Sequence, residues 1–212
     1  MITTARSIAS VTASRAALAA VLLLAAVPPA AARPGAPSIQ KQAEACFACH
    51  GKNGDSQTAL TPSLGGQPSF FVVAQLFLFR DNRRGGAPTP MIEVAKGMSD
   101  DELRAWGEFV SKLPPPAAPA KPADAARFSR GRALAGEHRC ASCHNPDFTG
   151  REQMARLANQ REDYLLKAMR DYKSGARVGY GSASMGEVLA GLGEAELADV
   201  AHYLAHLPAK RD

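Results

Sequence analysis

What this sequence lacks narrows its class before any motif is considered. It has no strong charge excess: 25 Lys and Arg face 20 Asp and Glu, a net +5. Leaving out Arg6 and Arg15, which fall in a leader-like segment, lowers the excess to +3. That is too mild for a nucleic-acid binder, whose domains are strongly basic. The apolar run "AALAAVLLLAAV" holds 12 residues, short of the roughly 20 that cross a bilayer. No β-alternating, turn-bounded run stands out, which argues against a sheet protein. Cysteine is limited to four residues, and His50 is the one histidine before His138.

The N-terminus reads as a targeting segment. Arg6 and Arg15 precede the apolar run, and "PPAAARP" follows it, the order of a secretory signal peptide with cleavage expected after Ala32. Residues 1–32 are therefore set aside from the fold, and the mature chain is expected in the periplasm. Export also means an oxidising compartment, where disulfides are normal, so a bridge reading of the cysteines must be overcome on other grounds.

The rest of the chain is a duplication. Residues 114–127 are rich in Pro and Ala and read as a semi-rigid linker. On either side, Cys46, Cys49 and His50 match Cys140, Cys143 and His144 at an offset of 94. "LGGQPSFFVVAQLFLF" matches "LANQREDYLLKAMRDY" at 93, and Met91 to Pro114 matches Met185 to Pro208 at 94. A long period with two copies indicates a duplicated domain, here 33–113 and 128–212. Each copy is expected to hold three helices. Their first helices are capped near Ser38 and Ser129, and the middle helices span Ser69–Phe79 and Glu162–Lys173. The last helices open at a Ser99–Glu102 capping box and at Gly193. The fold class is all-α, two tandem units small enough to want a covalent or metal staple.

Cys-x-x-Cys-His is the attachment pattern of c-type haem. Two thiols three residues apart on a helical turn add across the two vinyl groups of one porphyrin, and the adjacent His supplies an axial nitrogen. A zinc ribbon would place its cysteine pairs about 15–20 residues apart, not ninety. A disulfide-exchange dithiol would want a strand–helix context. Cys46, Cys49, Cys140 and Cys143 are thus the thioether anchors of two covalently attached haem c groups, and His50 and His144 are iron ligands. With His50 used, the first copy offers methionine for the sixth position. Met98 aligns with Leu192, Met154 near Leu60 and Met169 with Leu76; Met91 and Met185 are the methionine pair kept by the duplication.

The pattern "CFACHGKNGDS", then "PSLGGQ", then Met91 eight residues before the last helix cap, resembles the dihaem cytochrome c4 family over nearly the whole mature chain. The resemblance implies two facing cytochrome c domains, each with His–Met iron, acting as a periplasmic electron carrier. It also implies that the Pro62 carbonyl receives the proximal imidazole N–H. Three departures stand in the second copy: Asn145 replaces Gly51, where Asn is expected because it best visits the left-handed region, Ala155 replaces Pro62, and the Gly-x-x-Gly-x-Ser tail is missing.

The expected function is electron transfer between respiratory partners, toward a terminal oxidase, with no enzymatic activity of its own. The rival readings are the cytochrome subunit of a periplasmic dehydrogenase and a dihaem peroxidase or thiosulfate-oxidising enzyme. Partners are redox proteins and not nucleic acid, with peripheral membrane association left open. Phe70, Phe77 and Leu78 form an apolar face where the second copy carries Asp163, Arg170 and Asp171, and are expected to meet the second copy or a partner subunit. Arg80, Arg83, Arg84, Lys167, Arg170, Lys173 and Arg177 are candidates for steering an acidic partner. His138, His202 and His206 have no counterparts in the first copy and are expected to be solvated.

Overall fold

A computed structural model describes residues 38–84, 89–121 and 123–208, and these belong to one compact unit. The expected leader, 1–32, lies outside the described residues. The architecture is all-α, apart from an isolated bridge between Arg151 and Met154. The first copy contributes α1 (Ile39–His50), α2 (Ser69–Arg80), α3 (Met91–Ala95) and α4 (Asp100–Ser111). The second contributes α5 (Ala125–Glu137), α6 (Ala141–His144), α7 (Glu162–Lys173), α8 (Ser182–Leu189) and α9 (Glu194–Ala205). No helix among the described residues is long and apolar enough to cross a membrane.

Local signals set most of these boundaries. The Ser99 hydroxyl accepts from the Glu102 amide at 3.3 Å while the Ser99 amide donates to the Glu102 carboxylate at 2.7 Å, the reciprocal box that opens α4. Glu196 repeats half of it at α9, accepting from Gly193 N at 2.7 Å. Ser38 caps α1 by accepting from Lys41 N. The second first-helix begins earlier than expected: Asp124, not Ser129, is its cap, and its carboxylate accepts from Arg127 N at 2.9 Å. A carboxylate at that position satisfies an orphan amide and complements the helix dipole. The three-helix expectation is also too simple, because α3 and α8 are additional short helices on which Met91 and Met185 sit.

The core of the second copy gathers Leu165 and Met169 of α7, Leu189 of α8, Leu192, and Leu197, Val200 and Leu204 of α9. Helix α5 crosses α9 at Gly131, where a β-carbon would lie 2.1 Å from the Asp199 carbonyl oxygen. Beside the crossing, Arg130 Nε donates to Asp199 at 2.6 Å and Arg127 Nε at 3.3 Å. The Phe128 ring meets Tyr203 edge-on at 5.1 Å. In the first copy α2 packs on α4, with Gly107 facing Val73 and Ser69. Across the two copies, Leu60 N donates to Asp163 at 3.0 Å and Arg161 donates to the Ser56 carbonyl at 3.2 Å.

Asp199 gives the crossing a pH dependence. The Arg130 hydrogen bond, joined by that of Arg127, holds its carboxyl below the usual range despite the cost of burial. A depressed native value means stability that is complete above the unfolded value of about 3.9 and lost as pH falls through the native one. Thermal stability should therefore fall below about pH 4, and Asp199→Asn should show less of that acid-dependent loss. Circular dichroism melts of both proteins at neutral and acid pH check this; equal losses contradict it.

Candidate haem sites

Each Cys-x-x-Cys-His closes a helix. In the first copy it forms the last turn of α1, and in the second it spans Cys140 and α6, after a bend at Arg139 with φ +50°. Both histidines are buried while Cys49 and Cys143 are exposed and Cys46 and Cys140 half-buried. All four thiols are free. Burial pushes the Cys46 and Cys140 thiols up, the opposite of the electropositive setting a reactive dithiol needs.

The histidines are held alike. His50 Nδ1 lies 2.8 Å from the Pro62 carbonyl oxygen, and His144 Nδ1 lies 2.8 Å from that of Ala155. A carbonyl can only accept, so Nδ1 carries the proton and Nε2 keeps its lone pair. Burial lowers both imidazoles from their usual value, opposed in part by these same carbonyls, so the ring is the neutral form that binds a metal. The exchange of Pro62 for Ala155 therefore leaves the contact intact, since the backbone supplies it.

The turn after each histidine has positive φ, at Gly51 (φ +76°, ψ 166°) and Asn145 (φ +70°, ψ 156°). This corrects the expectation of a left-handed residue: ψ is extended, a region otherwise nearly confined to glycine. Asn145 is kept there by its side-chain amide, which donates to the Gly150 carbonyl at 2.8 Å and to Thr149 at 3.2 Å.

Met91 opens α3, which packs on α2, and Met185 lies in α8, which packs on α7; both are half-buried. Leu192, the counterpart of Met98, is a core residue, as is Met169, and Met154 sits in the bridge with Arg151. Leu192 and Met169 are thus positions where apolar bulk packs.

Several of the candidate steering charges are not free surface charges. Arg84 Nη1 and Arg177 Nη2 both donate to Gln75 Oε1, at 2.7 and 3.1 Å. Arg84 stacks on Phe79 and Arg177 on Tyr172. Burial and the neighbouring Arg177 charge lower the Arg84 guanidinium, and among the described residues neither arginine has an ion pair. Two enclosed cations without a carboxylate fit a ligand that brings its own, as a porphyrin does with its propionates. The signal was available, since Arg84 and Arg177 stand 93 apart, the offset of the middle helices. Arg80, Lys167 and Arg170 are occupied by Asp100, Asp171 and Glu194, and Lys173 by the Leu192 carbonyl. Of the proposed steering residues, Arg83, Arg170 and Lys173 remain exposed, and Arg83 alone among these three has no partner named above.

Packing decides two further expectations. Leu78 is buried and touches Gly179 of the second copy, and Phe77 lines a groove with Val73, Leu103 and Tyr180, whereas Phe70 is 56% exposed. His202 is buried, contrary to expectation. Its Nε2 accepts from Asp124 N at 3.0 Å and its Nδ1 meets Glu162 at 2.8 Å, tying α9 to the starts of α5 and α7. With both nitrogens spent and Arg127 on Glu162 at 2.9 Å, the grouping of Glu162, His202 and His206 is a structural staple.

The cytochrome c sequence family matches residues 128–208. Cytochrome c4 of Thiocapsa roseopersicina is 28% identical over 169 residues, 76% of this chain and 86% of that one. The thiosulfate dehydrogenase electron acceptor of Thiomonas intermedia is 31% identical over 176 residues, 79% of this chain and 80% of that one. The structure of Acidithiobacillus ferrooxidans cytochrome c4 matches with a TM-score of 0.70 at 26% identity, over 78% of this chain and 99% of that one. This chain belongs to the dihaem cytochrome c4 family. It is accordingly an electron-transferring c-type cytochrome with two covalently attached haem c groups. The free thiols, the neutral buried histidines and the two arginines that no carboxylate pairs among the described residues form a donor set that suits a haem c in both copies.

Proposed function

We propose that this dihaem cytochrome carries electrons between redox proteins of the periplasm, through one site in each of two domains, 33–113 and 128–212. Cys46 and Cys49, and Cys140 and Cys143, would anchor the porphyrins through thioethers; His50 with Met91, and His144 with Met185, would ligate iron. Bound haem supplies a reversible one-electron couple, which methionine ligation places at high potential. The chain supplies the rest. The Pro62 and Ala155 carbonyls fix the imidazole tautomer, α3 and α8 present the methionines, and Arg84 and Arg177 bring positive charge to the enclosed region. The observation that carries this reading is the doubled histidine, buried and held through Nδ1 at the same distance in both copies. A histidine and a methionine on each iron would leave no open position, which fits a carrier and disfavours a dihaem peroxidase.

A terminal oxidase is the proposed acceptor. A second reading, docking to a dehydrogenase, is favoured by the exposed Phe70 and Tyr180 beside the groove at Phe77. It is also favoured by the relative that serves as an electron acceptor for thiosulfate dehydrogenase. Absorption spectra of the oxidised and reduced holoprotein test the carrier reading. Two low-spin sites with the methionine–iron charge-transfer band at full two-haem intensity are expected, and a high-spin ferric component in the native protein would count against it. Copurification with an oxidase or with a dehydrogenase separates the two partners.

A further inference from the structure

The two copies grip one another at the peptide groups that hold the histidines. Gln160, 3% exposed, accepts from Ser63 N through Oε1 at 2.8 Å and donates from Nε2 to the Ser63 carbonyl at 2.8 Å. Gln67, 5% exposed, accepts from Arg156 N at 2.9 Å and donates to the Arg156 carbonyl at 3.0 Å. Gln67 and Gln160 are 93 residues apart, and so are Ser63 and Arg156. Each glutamine of one copy thus holds the equivalent backbone segment of the other.

The Ser63 N–H belongs to the same peptide unit as the Pro62 carbonyl that accepts from His50. Likewise the Arg156 N–H and the Ala155 carbonyl that accepts from His144 share one peptide unit. Each path therefore runs from imidazole N–H to carbonyl, through the conjugated amide, to a buried glutamine oxygen in the opposite copy. Hydrogen bonds in such a chain polarise one another, the more so away from water. An acceptor on the amide N–H draws electron density toward the carbonyl oxygen. That oxygen then pulls harder on the imidazole proton and makes the ring a stronger donor to a metal.

We infer that Gln160 and Gln67 are crossed positioning residues, each setting the basicity of the axial histidine in the opposite copy and thereby that site's reduction potential. The inference rests on His50 and His144 being the iron ligands proposed above. A more basic axial imidazole favours ferric iron. Losing the glutamine oxygen should therefore raise the potential of the site across the interface and leave its own nearly unmoved.

The test is potentiometry of the holoprotein with the two haems resolved by NMR of their methyl groups, assigned through His50 and His144. Gln160→Met, which keeps length and volume but loses the amide, should raise the His50 site and leave the His144 site near its wild-type value. Gln67→Met should do the reverse. Gln160→Glu keeps an acceptor for Ser63 N–H and should return the His50 site to the wild-type value or carry it lower. Exchange of the imidazole Nδ1 proton should quicken across the interface in the methionine variants. Shifts in the variant's own copy, equal shifts at both sites, no shift, or a Gln160→Glu protein that behaves as Gln160→Met does would overturn the proposal. Retained low-spin spectra show that ligation is intact, so such a failure would not touch the assignment of the ligands.

Discussion

Replacing Gly131 by alanine is expected to destabilise the protein by about 3 kcal/mol, near the upper end of what overpacking usually costs. The added β-carbon would sit 2.1 Å from the Asp199 carbonyl oxygen and 2.7 Å from both the Asp199 carbonyl carbon and Tyr203 Cβ. Two of those three atoms are helix backbone and cannot rotate aside, so α5 must lift off α9. Alanine gains about 1 kcal/mol of helix propensity over glycine, which the clash outweighs. Separation would also strain the Arg127 and Arg130 contacts to Asp199 and the Phe128–Tyr203 packing. For a unit of this size the midpoint should fall by roughly 10 °C. Gly136 in the same helix is the control, since nothing lies within 4 Å of its β-carbon position. Gly136→Ala should stabilise by up to about 1 kcal/mol. Melting curves of the two variants check both signs; a neutral Gly131→Ala would mean that the crossing is looser than these distances require.

Met185→Ala is expected to halve the methionine–iron band and to lower one of the two reduction potentials sharply, leaving the other in place. Met91→Ala should do the same to the other site. A thioether ligand favours ferrous iron relative to harder donors, so its loss moves the potential down, and the vacated position admits water and gives a high-spin ferric signal. Met98→Leu is the informative partner to these variants. Its counterpart Leu192 is 3% exposed and apolar, so leucine at position 98 should leave both potentials and the band unchanged. Spectra and potentiometric titration of the three variants decide the matter. A Met98→Leu protein that loses the band while Met91→Ala keeps it would transfer the ligand role to Met98.

Much of the site was legible because duplication repeats whatever chemistry needs and lets the rest drift. The Cys-x-x-Cys-His stretches and the Met91–Met185 pair proposed as ligands are repeats visible in one dimension, and the α4 and α9 starts followed from local caps. Three features escaped for a physical reason. His202 reads as a surface histidine because its partners, Glu162 and the Asp124 amide, lie 40 and 78 residues away in sequence. Arg84 and Arg177 read as surface charge, since nothing local reveals that Gln75 brings them together. Asp124 does not read as a cap because it sits among the prolines and alanines that mark a linker. Gln67 and Gln160 were visible as a repeated residue, yet their role depends on each reaching the other copy, which no spacing within one copy can reveal.

That reciprocity has a consequence for how the two halves came together. Gln67 to position 156 and Gln160 to position 63 exchange under a single two-fold operation, the relation found when two identical chains meet at an isologous interface. The buried grip thus has the form of a homodimer contact enclosed within one polypeptide. Joining the copies makes their meeting intramolecular, at an effective concentration in about the millimolar range for a short tether. The paired arrangement then withstands a dilution at which unlinked chains would dissociate, and a mutation at either glutamine can be matched by its partner only within the same gene.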